Sequence, residues 1–570
     1  MFLTAKRARS QSKRARVLQV SAGMVALGML VAGCSGSSGS SEGSGGGGTT
    51  TLVAYTGQAG DYQINFNPFS PSQIGGGGAV YEQLFFINKA GSGDPEPLLG
   101  TEYEWNDEGT ELTVKLRTDV KWTDGKPFTA KDVAFTFDLL KKTTAYNNIG
   151  YDGEAEAVDD GTVKFTFAEP AFTLGPDILG NTYMVPEHLW ADVDPETFVN
   201  EKPVGTGPYK LGEFKAQAFT YVANEDYWGE VPAIKTVRFL SLSGNQAGAD
   251  GISAGTIDWQ TGPVPNIQNV PETYPGYDAV TVNQSQMALL TCSNEELGCT
   301  GPQTDPAVRR AIYRALDREQ LNALAFQGTA SEISPTFALP TNQKEMISSS
   351  VSEPVTANTP DLAAASAELE GAGWAKGSDG IYAKGGDKLS VTVEVVTGWT
   401  DYITAVQTMA QQLKPAGIDL KVAQSSWNEW TEKKAQGKFQ LAIDSLYQGS
   451  APDPYYVYNN FFDSAGTAKV GKMAGNNVSR FSNPDVDKAI KALRGLALDD
   501  TAARQPHLDV IQKAIVEDMP YIPILTGGTT SEWNVKKFTG WPTQDNLYAV
   551  PAVWSRNDFT IILKNLKPVS

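Results

Sequence analysis

LSVTVEVV, residues 389–396, opens the stretch that decides the fold class. Leu389, Val391, Val393 and Val395 alternate with Ser390, Thr392 and Glu394, the period of two that marks a strand. Ile403, Val406, Met409, Ala410 and Leu413 then recur at helical spacing until Pro415-Ala416-Gly417 ends the run. A second strand (IDLKVA, from Ile418), a helix over Trp427–Gln436 and a third strand (FQLAIDSLY, ending at Tyr447) follow. Strand, helix, strand, helix, strand predicts a parallel sheet with crossover helices, and so an α/β protein.

Working outward, two further helices are expected at Val486–Leu493 and Ala502–Glu517, before a strand YIPILTG from Tyr521. Upstream, DPAVRRAIYRALDREQL offers Asp305 as N-cap, Pro306 in the first turn, and Val308, Ile312 and Leu316 four residues apart. The block from about residue 300 to 525 therefore reads as one α/β lobe. The earlier half is richer in strands and turns. In ELTVKLRTDVKWTDGKPFTAKDVAFTFDLLKK (111–142) a β-segment meets a turn at Asp124-Gly125, then a helix capped by Thr129 with Asp132 three residues on.

The N-terminus has its own logic. Residues 1–33 carry Lys6, Arg7, Arg9, Lys13, Arg14 and Arg16 and no acid, then an apolar run from Val17 to Ala32, the pattern of a secretory signal peptide. That run is short for a membrane span. Val31-Ala32-Gly33-Cys34 resembles the bacterial lipobox, so Cys34 is expected to be lipidated and to anchor the chain. The Gly/Ser-rich residues 34–50 are expected to behave as a flexible tether reaching about 20–25 Å. Of the three cysteines, Cys292 and Cys299 can close a small disulfide in an oxidising compartment, which leaves Cys34 unpaired.

The formal net charge of −19 argues against nucleic acid or an anionic lipid surface as partner. Only two histidines, His188 and His507, are present, in unrelated contexts, so no metal cluster or acid–base pair is legible. Aromatic residues are plentiful, with 12 Trp and 21 Tyr.

LTVKLRTDVKWTDGKPFTAKDVAFTF closely resembles the signature of family 5 extracellular solute-binding proteins, which serve ABC importers. GTGPYKL at Gly205, NEDYWG at Asn224, DPAVRRAIYRALDRE at Asp305, GAGW at Gly371 and DMPYIPIL at Asp518 extend the resemblance along the chain. It implies a two-lobed, periplasmic-binding-protein-like type II fold, with an extra subdomain on lobe I and the ligand cleft between lobes. The expected division is signal peptide 1–33, tether 34–50, lobe I 51–85, subdomain 86–204, lobe I 205–297, lobe II 298–526 and lobe I 527–570. Trp122, Asp124 and Gly125 of the signature are expected to hold the fold. The partners implied are a small-molecule ligand, ABC permease subunits and the membrane through the lipid anchor, with the receptor a monomer that needs no cofactor or metal.

Ligands of parallel sheets gather beyond the carboxyl ends of the strands. For lobe II these are TGWTDY, giving Trp399, and YQGSAPDPYY, giving Tyr447, Gln448, Ser450 and Tyr455. Peptide-binding relatives carry an aspartate in the second loop that pairs with the ligand's ammonium. Here Ser450 stands at that position, with Asp453 three residues later. GWPTQDNLYAVP from Gly540, YEQLFFINKAG from Tyr81 and GTIDWQTGPVPNI from Gly255 resemble the oligosaccharide branch, which adds Trp259 and Trp541 as stacking platforms. Asn67, Phe69, Tyr81 and Glu82 complete the expected site, because the N-terminal loop of relatives faces the cleft. A cello- or manno-type oligosaccharide is slightly favoured over an oligopeptide.

An enzyme is the competing class. GISAG (251–255) satisfies the nucleophile-elbow pattern, with Ser253 and a downstream His507, but the strand before it and helix after it are missing from the sequence. The glycines at 75–78 are not followed by the Lys-Ser/Thr of a phosphate loop. The expectation is a receptor without catalytic residues.

Overall fold

A computed structural model describes residues 50–569 apart from 58–59, 71–72, 92, 144–145 and 148. The expected signal peptide, the lipidation site Cys34 and nearly all of the tether lie outside the described residues. No helix among the described residues is long and apolar enough to cross a membrane.

One mixed sheet of ten strands runs through the molecule. In chain order they are β1 (Thr51–Tyr55), β2 (Tyr209–Lys215), β3 (Ala218–Ala223), β4 (Thr236–Leu240), β5 (Trp259–Thr261), β6 (Tyr277–Thr291), β7 (Ser390–Val396), β8 (Asp419–Ser425), β9 (Leu441–Leu446) and β10 (Tyr521–Asn534). Their spatial order is β8-β7-β9-β6-β10-β5-β1-β4-β3-β2. β7 runs parallel to both β8 and β9, as the strand–helix alternation predicts. β9 then pairs antiparallel with β6, so the sheet as a whole is mixed. Pairing to a long neighbouring strand is a tertiary choice that the local period does not encode.

β6 and β10, 15 and 14 residues long, are paired antiparallel along nearly their whole length. The first half of β6 lies beside the second half of β10, next to β5. Its second half lies between β9 and the first half of β10. These two strands therefore carry the chain from one lobe to the other. Their ladder is irregular between Asn283 and Ser285 and between Met287 and Ala288, at the crossing itself.

Lobe II buries Val391, Val393 and Val395 of β7 against the helix Thr400–Leu413. The family motif around Asp305 is structural here. Asp305 caps the helix Pro306–Ala315 by accepting from Ala307 N. The buried Arg318 guanidinium donates to the carbonyls of Pro523 and Ile524 in β10, tying the helical layer to a crossover strand. Cys292 and Cys299 are joined by a disulfide just after β6. Lobe I packs Trp259, Trp541 and Phe559 into a core on one face of β5.

A separate four-stranded antiparallel sheet orders Gly100–Trp105, Glu111–Leu116, Thr162–Thr166 and Glu154–Asp159. The helix Ala130–Lys142 packs with it and begins with the expected capping box: Asp132 accepts from Thr129 N at 2.9 Å. Trp122 is buried and Gly125 sits at φ +91°, where a side chain is strained. Asp124 pairs with His188 at 2.7 Å.

Candidate functional site

The strand order of lobe II puts β7 between β8 and β9, so the chain leaves β7 to one side and returns on the other. This is a topological switch point. The segments beyond the carboxyl end of β7 and along the last residues of β9 face lobe I across a cavity of about 440 Å³. Its size suits a small-molecule site.

From lobe II, Trp399, Asp401 and Tyr402 enter the wall at the start of the helix Thr400–Leu413, with Asp444, Ser445, Phe326, Gln327 and Thr329. From lobe I come Thr56, Asn245, Thr261, Thr530 and Trp554. Two tryptophans thus line one cavity from opposite lobes. Trp399 sits in an aromatic cluster, with Trp427 and Trp430 both at 5.5 Å and Tyr402 at 5.4 Å between ring centroids. Tyr402 OH is fixed by Ser445 Oγ at 2.7 Å. Trp554 stands 47% exposed on a loop pinned by Val553 N donating to Thr261 Oγ1.

The charge pattern is specific. No lysine or arginine lines this cavity among the described residues. Asp444 is paired with Lys434 at 2.5 Å. Asp401 has no cationic partner among the described residues, and burial pushes its carboxyl above the usual range, against the pull of the backbone N–H groups of Tyr402 and Asp401.

A second, smaller cavity of about 270 Å³ also lies between the lobes. It is bounded by residues 281–284 of β6, by Leu339, Thr341 and Asn342, by Gln448, Ala451 and Pro452, and by Lys89, Gln544 and Leu547. The two cavities abut one crossover ladder: Thr281 in the wall of the smaller is hydrogen-bonded to Thr530 in the wall of the larger, at 2.7 Å.

Of the residues expected from the sequence, Trp399 lines the larger cavity and Gln448 the smaller. Tyr447 is half exposed and accepts from Asn476 Nδ2. Ser450 is buried and donates to Asp177, whose carboxyl is pushed up to about 6 by burial, against the hydrogen bonds from Ser450 and Asn181 and the charge of Lys89. Asp453 is committed elsewhere: both carboxylate oxygens accept from Arg504 Nη2, at 2.7 and 2.8 Å, in a buried pair. Tyr455 is buried in the first turn of the helix Tyr455–Phe462, and lines neither cavity.

The remaining expected residues line neither cavity. Trp259 is fully buried, stacked 5.1 Å from Phe559, with its indole N–H donating to Pro551 O. Trp541 stacks on Trp533 at 5.3 Å. Both fill the lobe I core and offer no face to a ligand. Asn67 spends its amide on the carbonyls of Pro195 and Phe198, and its Oδ1 accepts from Phe69 N. Phe69 packs edge-on against Trp190. Tyr81 donates to Phe66 O and accepts from Asn200. Glu82 accepts from Tyr227 OH and Trp228 Nε1 beneath the surface, and burial raises its carboxyl. All four organise the entry into the subdomain.

Sequence reasoning missed Trp554, Asp401 and Tyr402. The last two follow Trp399 directly in TGWTDY, and a helix starting just past a central strand is a sufficient signal for them. Trp554 had none: it and Trp541 both lie in turn-rich sequence, and only tertiary packing separates the buried ring from the exposed one.

Residues 94–469 match the family model for bacterial extracellular solute-binding proteins, family 5. The chain belongs to that family. Protein XP55 of Streptomyces lividans is 31% identical over 430 residues, covering 73% of each chain. The oligopeptide-binding protein AppA of Bacillus subtilis is 26% identical over 435 residues, 73% of this chain and 75% of that one. Among solved structures, the periplasmic oligopeptide-binding protein of Thermotoga maritima with bound mannohexaose superposes with a TM-score of 0.82 at 24% identity, covering 91% of this chain and 99% of that one. AppA in complex with a nonapeptide does so at 0.75 and 22%, covering 92% and 100%. The two-lobed fold is thus shared by receptors of unlike cargo. The GISAG pattern, by contrast, falls across a helix: Ser253 is the last residue of Asn245–Ser253 and is exposed, with no strand-to-helix turn to raise it.

Proposed function

We propose that this solute-binding protein is the receptor component of an ABC importer, tethered to the outer face of the membrane through Cys34. It captures an oligosaccharide in the cavity between its lobes. The observation that carries the reading is the pairing of Trp399 and Trp554 in one cavity where half of the other lining residues carry hydroxyls or amides and no lysine or arginine is found among the described residues. Sugars present C–H faces to aromatic rings and a belt of hydroxyls to such groups, and demand no counter-charge. The uncompensated Asp401 carboxylate can accept from two neighbouring hydroxyls at once.

Capture follows from the position of the wall. A ligand touching Trp554 and Thr261 on one lobe and Trp399 and Asp401 on the other gains its full contact set only when the lobes are shut. It therefore shifts the population toward the closed form by that difference.

Asp401 also supports a second reading. A carboxylate without a cation partner suits the ammonium of an oligopeptide, the cargo named for AppA. Thermal melting of the protein against cello-, manno- and xylo-oligosaccharides and di- to hexapeptides separates the two. A ligand at a hundred times its Kd adds about 2.7 kcal/mol of stability. A rise with sugars alone supports the proposal, and a rise with peptides alone replaces it with the second reading. Recovery of any of these compounds chemically altered overturns both.

A further inference from the structure

The smaller cavity is built around donors. Lys89 stands on a turn after the strand Phe85–Ile87, and the turn is locked: Asn88 Nδ2 donates to Leu547 O at 2.8 Å and Asn88 Oδ1 accepts from Ala90 N at 3.0 Å. Gly93, at φ +79°, closes the same turn and lets Pro452 of lobe II approach where a Cβ would lie 2.7 Å from its ring. Lys89 lines the cavity and makes no hydrogen bond or ion pair with any described residue. Burial holds its ammonium below the ordinary lysine range, and the nearest charges, Asp558, Asp177 and Arg556, act on it only through space.

Opposite it, Gln448 of lobe II is nine-tenths buried. Its Oε1 accepts from Gln343 Nε2 at 3.4 Å, and Gln343 is itself oriented by accepting from Leu339 N at 2.8 Å. This fixes the amide so that Gln448 Nε2 is left as a buried donor without an acceptor. A partly buried cation and an unspent buried N–H group cost free energy unless an acceptor meets them. An ammonium and an amide N–H lining one cavity are the complement of an oxyanion.

We infer that the smaller cavity is a subsite for a carboxylate carried by the ligand, bound by Lys89 from one lobe and Gln448 from the other. This rests on the reading of the interlobe cleft as the cargo site, and it adds a charged end to that cargo. Thr281 in the wall of the smaller cavity is hydrogen-bonded to Thr530 in the wall of the larger, so the two lie on the same crossover ladder, and the inference places one oligomer across both. The carboxylate comes either from an acidic sugar or from a peptide C-terminus. The shared chemistry is the prediction.

Two matched pairs test it by calorimetry at fixed ionic strength: cellohexaose against its C1-oxidised aldonic acid, and a hexapeptide against its C-terminal amide. In the pair that binds, the carboxylate member should be tighter by about tenfold or more, the low end for a charge-assisted hydrogen bond. Lys89→Gln should collapse that difference, Lys89→Arg should retain most of it, and Gln448→Ala should reduce it. Melting of the unliganded variants establishes that each is folded. Equal affinity within the binding pair, or a difference that survives Lys89→Gln, overturns the inference and leaves the cargo reading standing. Failure of both pairs to bind, with no rise in melting for any sugar or peptide of the wider set, removes both.

Discussion

Trp554→Ala is the sharpest perturbation of the proposed site. The ring is 47% exposed and makes no aromatic contact among the described residues, so truncation removes little that the unliganded protein uses. A tryptophan offers about 150–250 Å² when fully covered, so its exposed half can bury about 100 Å² against a ligand. At ~25 cal/mol per Å² this is about 2.5 kcal/mol, or a rise of about seventyfold in Kd. The unliganded melt should move by no more than about 0.5 kcal/mol, as for an ordinary surface substitution. Trp399→Ala should weaken binding similarly but also lower the unliganded melt, because Trp399 is packed among Trp427, Trp430 and Tyr402. Titration calorimetry with the ligand found by melting, run beside chemical denaturation, reads both quantities. A Trp554→Ala protein that binds as tightly as the parent would refute the two-jaw argument, and an equally large loss of stability would refute the claim that its ring is held for the ligand.

Two further expectations concern buried charge. Burial pushes the Glu532 carboxyl well above its ordinary value of 4.5, against the weaker pull of Gln260 and of its own backbone N–H. The folded state therefore keeps a proton that the unfolded chain releases. This contribution is complete below about pH 4.5 and declines as pH rises toward the folded value, by about 1.4 kcal/mol for each pH unit crossed. Glu532→Gln cannot ionise, so its stability should fall less from pH 5 to 8 than the parent's; parallel curves in denaturant titrations would sink this account. Asp453→Asn should cost about 3–5 kcal/mol, because it leaves the buried Arg504 guanidinium unpaired, and an Asp453→Leu, Arg504→Met double variant should be milder than the single one. Denaturation midpoints decide it.

The α/β lobe was legible because its elements obey local rules. The alternation over 389–396, the stop at Pro415-Ala416-Gly417 and the caps at Asp305 and Thr129 each act over a few residues, and the structure places strands and helices there within a residue or two. The helix Tyr455–Phe462 was missed because YYVYNNFF is rich in aromatic and β-branched residues with modest helix propensity. It is held instead by packing of Tyr458, Phe461 and Phe462 around Tyr521. In the cleft, the strand-end rule found Trp399 because it concerns backbone topology. Choosing among the tryptophans needed side-chain burial, which no local pattern supplies. Trp259 and Trp541 carry the same chemistry as Trp554, yet β5 turns Trp259 into a core where its indole N–H meets Pro551, 292 residues away, and its ring stacks on Phe559.

The contacts that close the cleft bear on how binding energy is used. At one rim Gln268 donates to Gln327 O at 2.8 Å and Gln327 donates to Val264 O at 3.2 Å. At the other, Tyr456 OH donates to Thr173 O at 3.0 Å, and Lys491 pairs with Glu169 at 3.0 Å. The exposed ion pair is worth about 0–1 kcal/mol, and each hydrogen bond about 1 kcal/mol net. The second rim also holds Ser450 bonded to Asp177, Thr173 Oγ1 donating to Arg494 O at 3.2 Å and Arg494 paired with Asp152, so these contacts together are set against the cost of enclosing polar groups. In the proposed capture, a ligand moves the open–closed equilibrium only through its preference for the closed state. Groups confined to one lobe hold cargo equally well open or shut and cannot drive closure. In the proposed capture Trp399 and Trp554 on facing walls can, because neither would cover its side of the ligand fully until the other arrives.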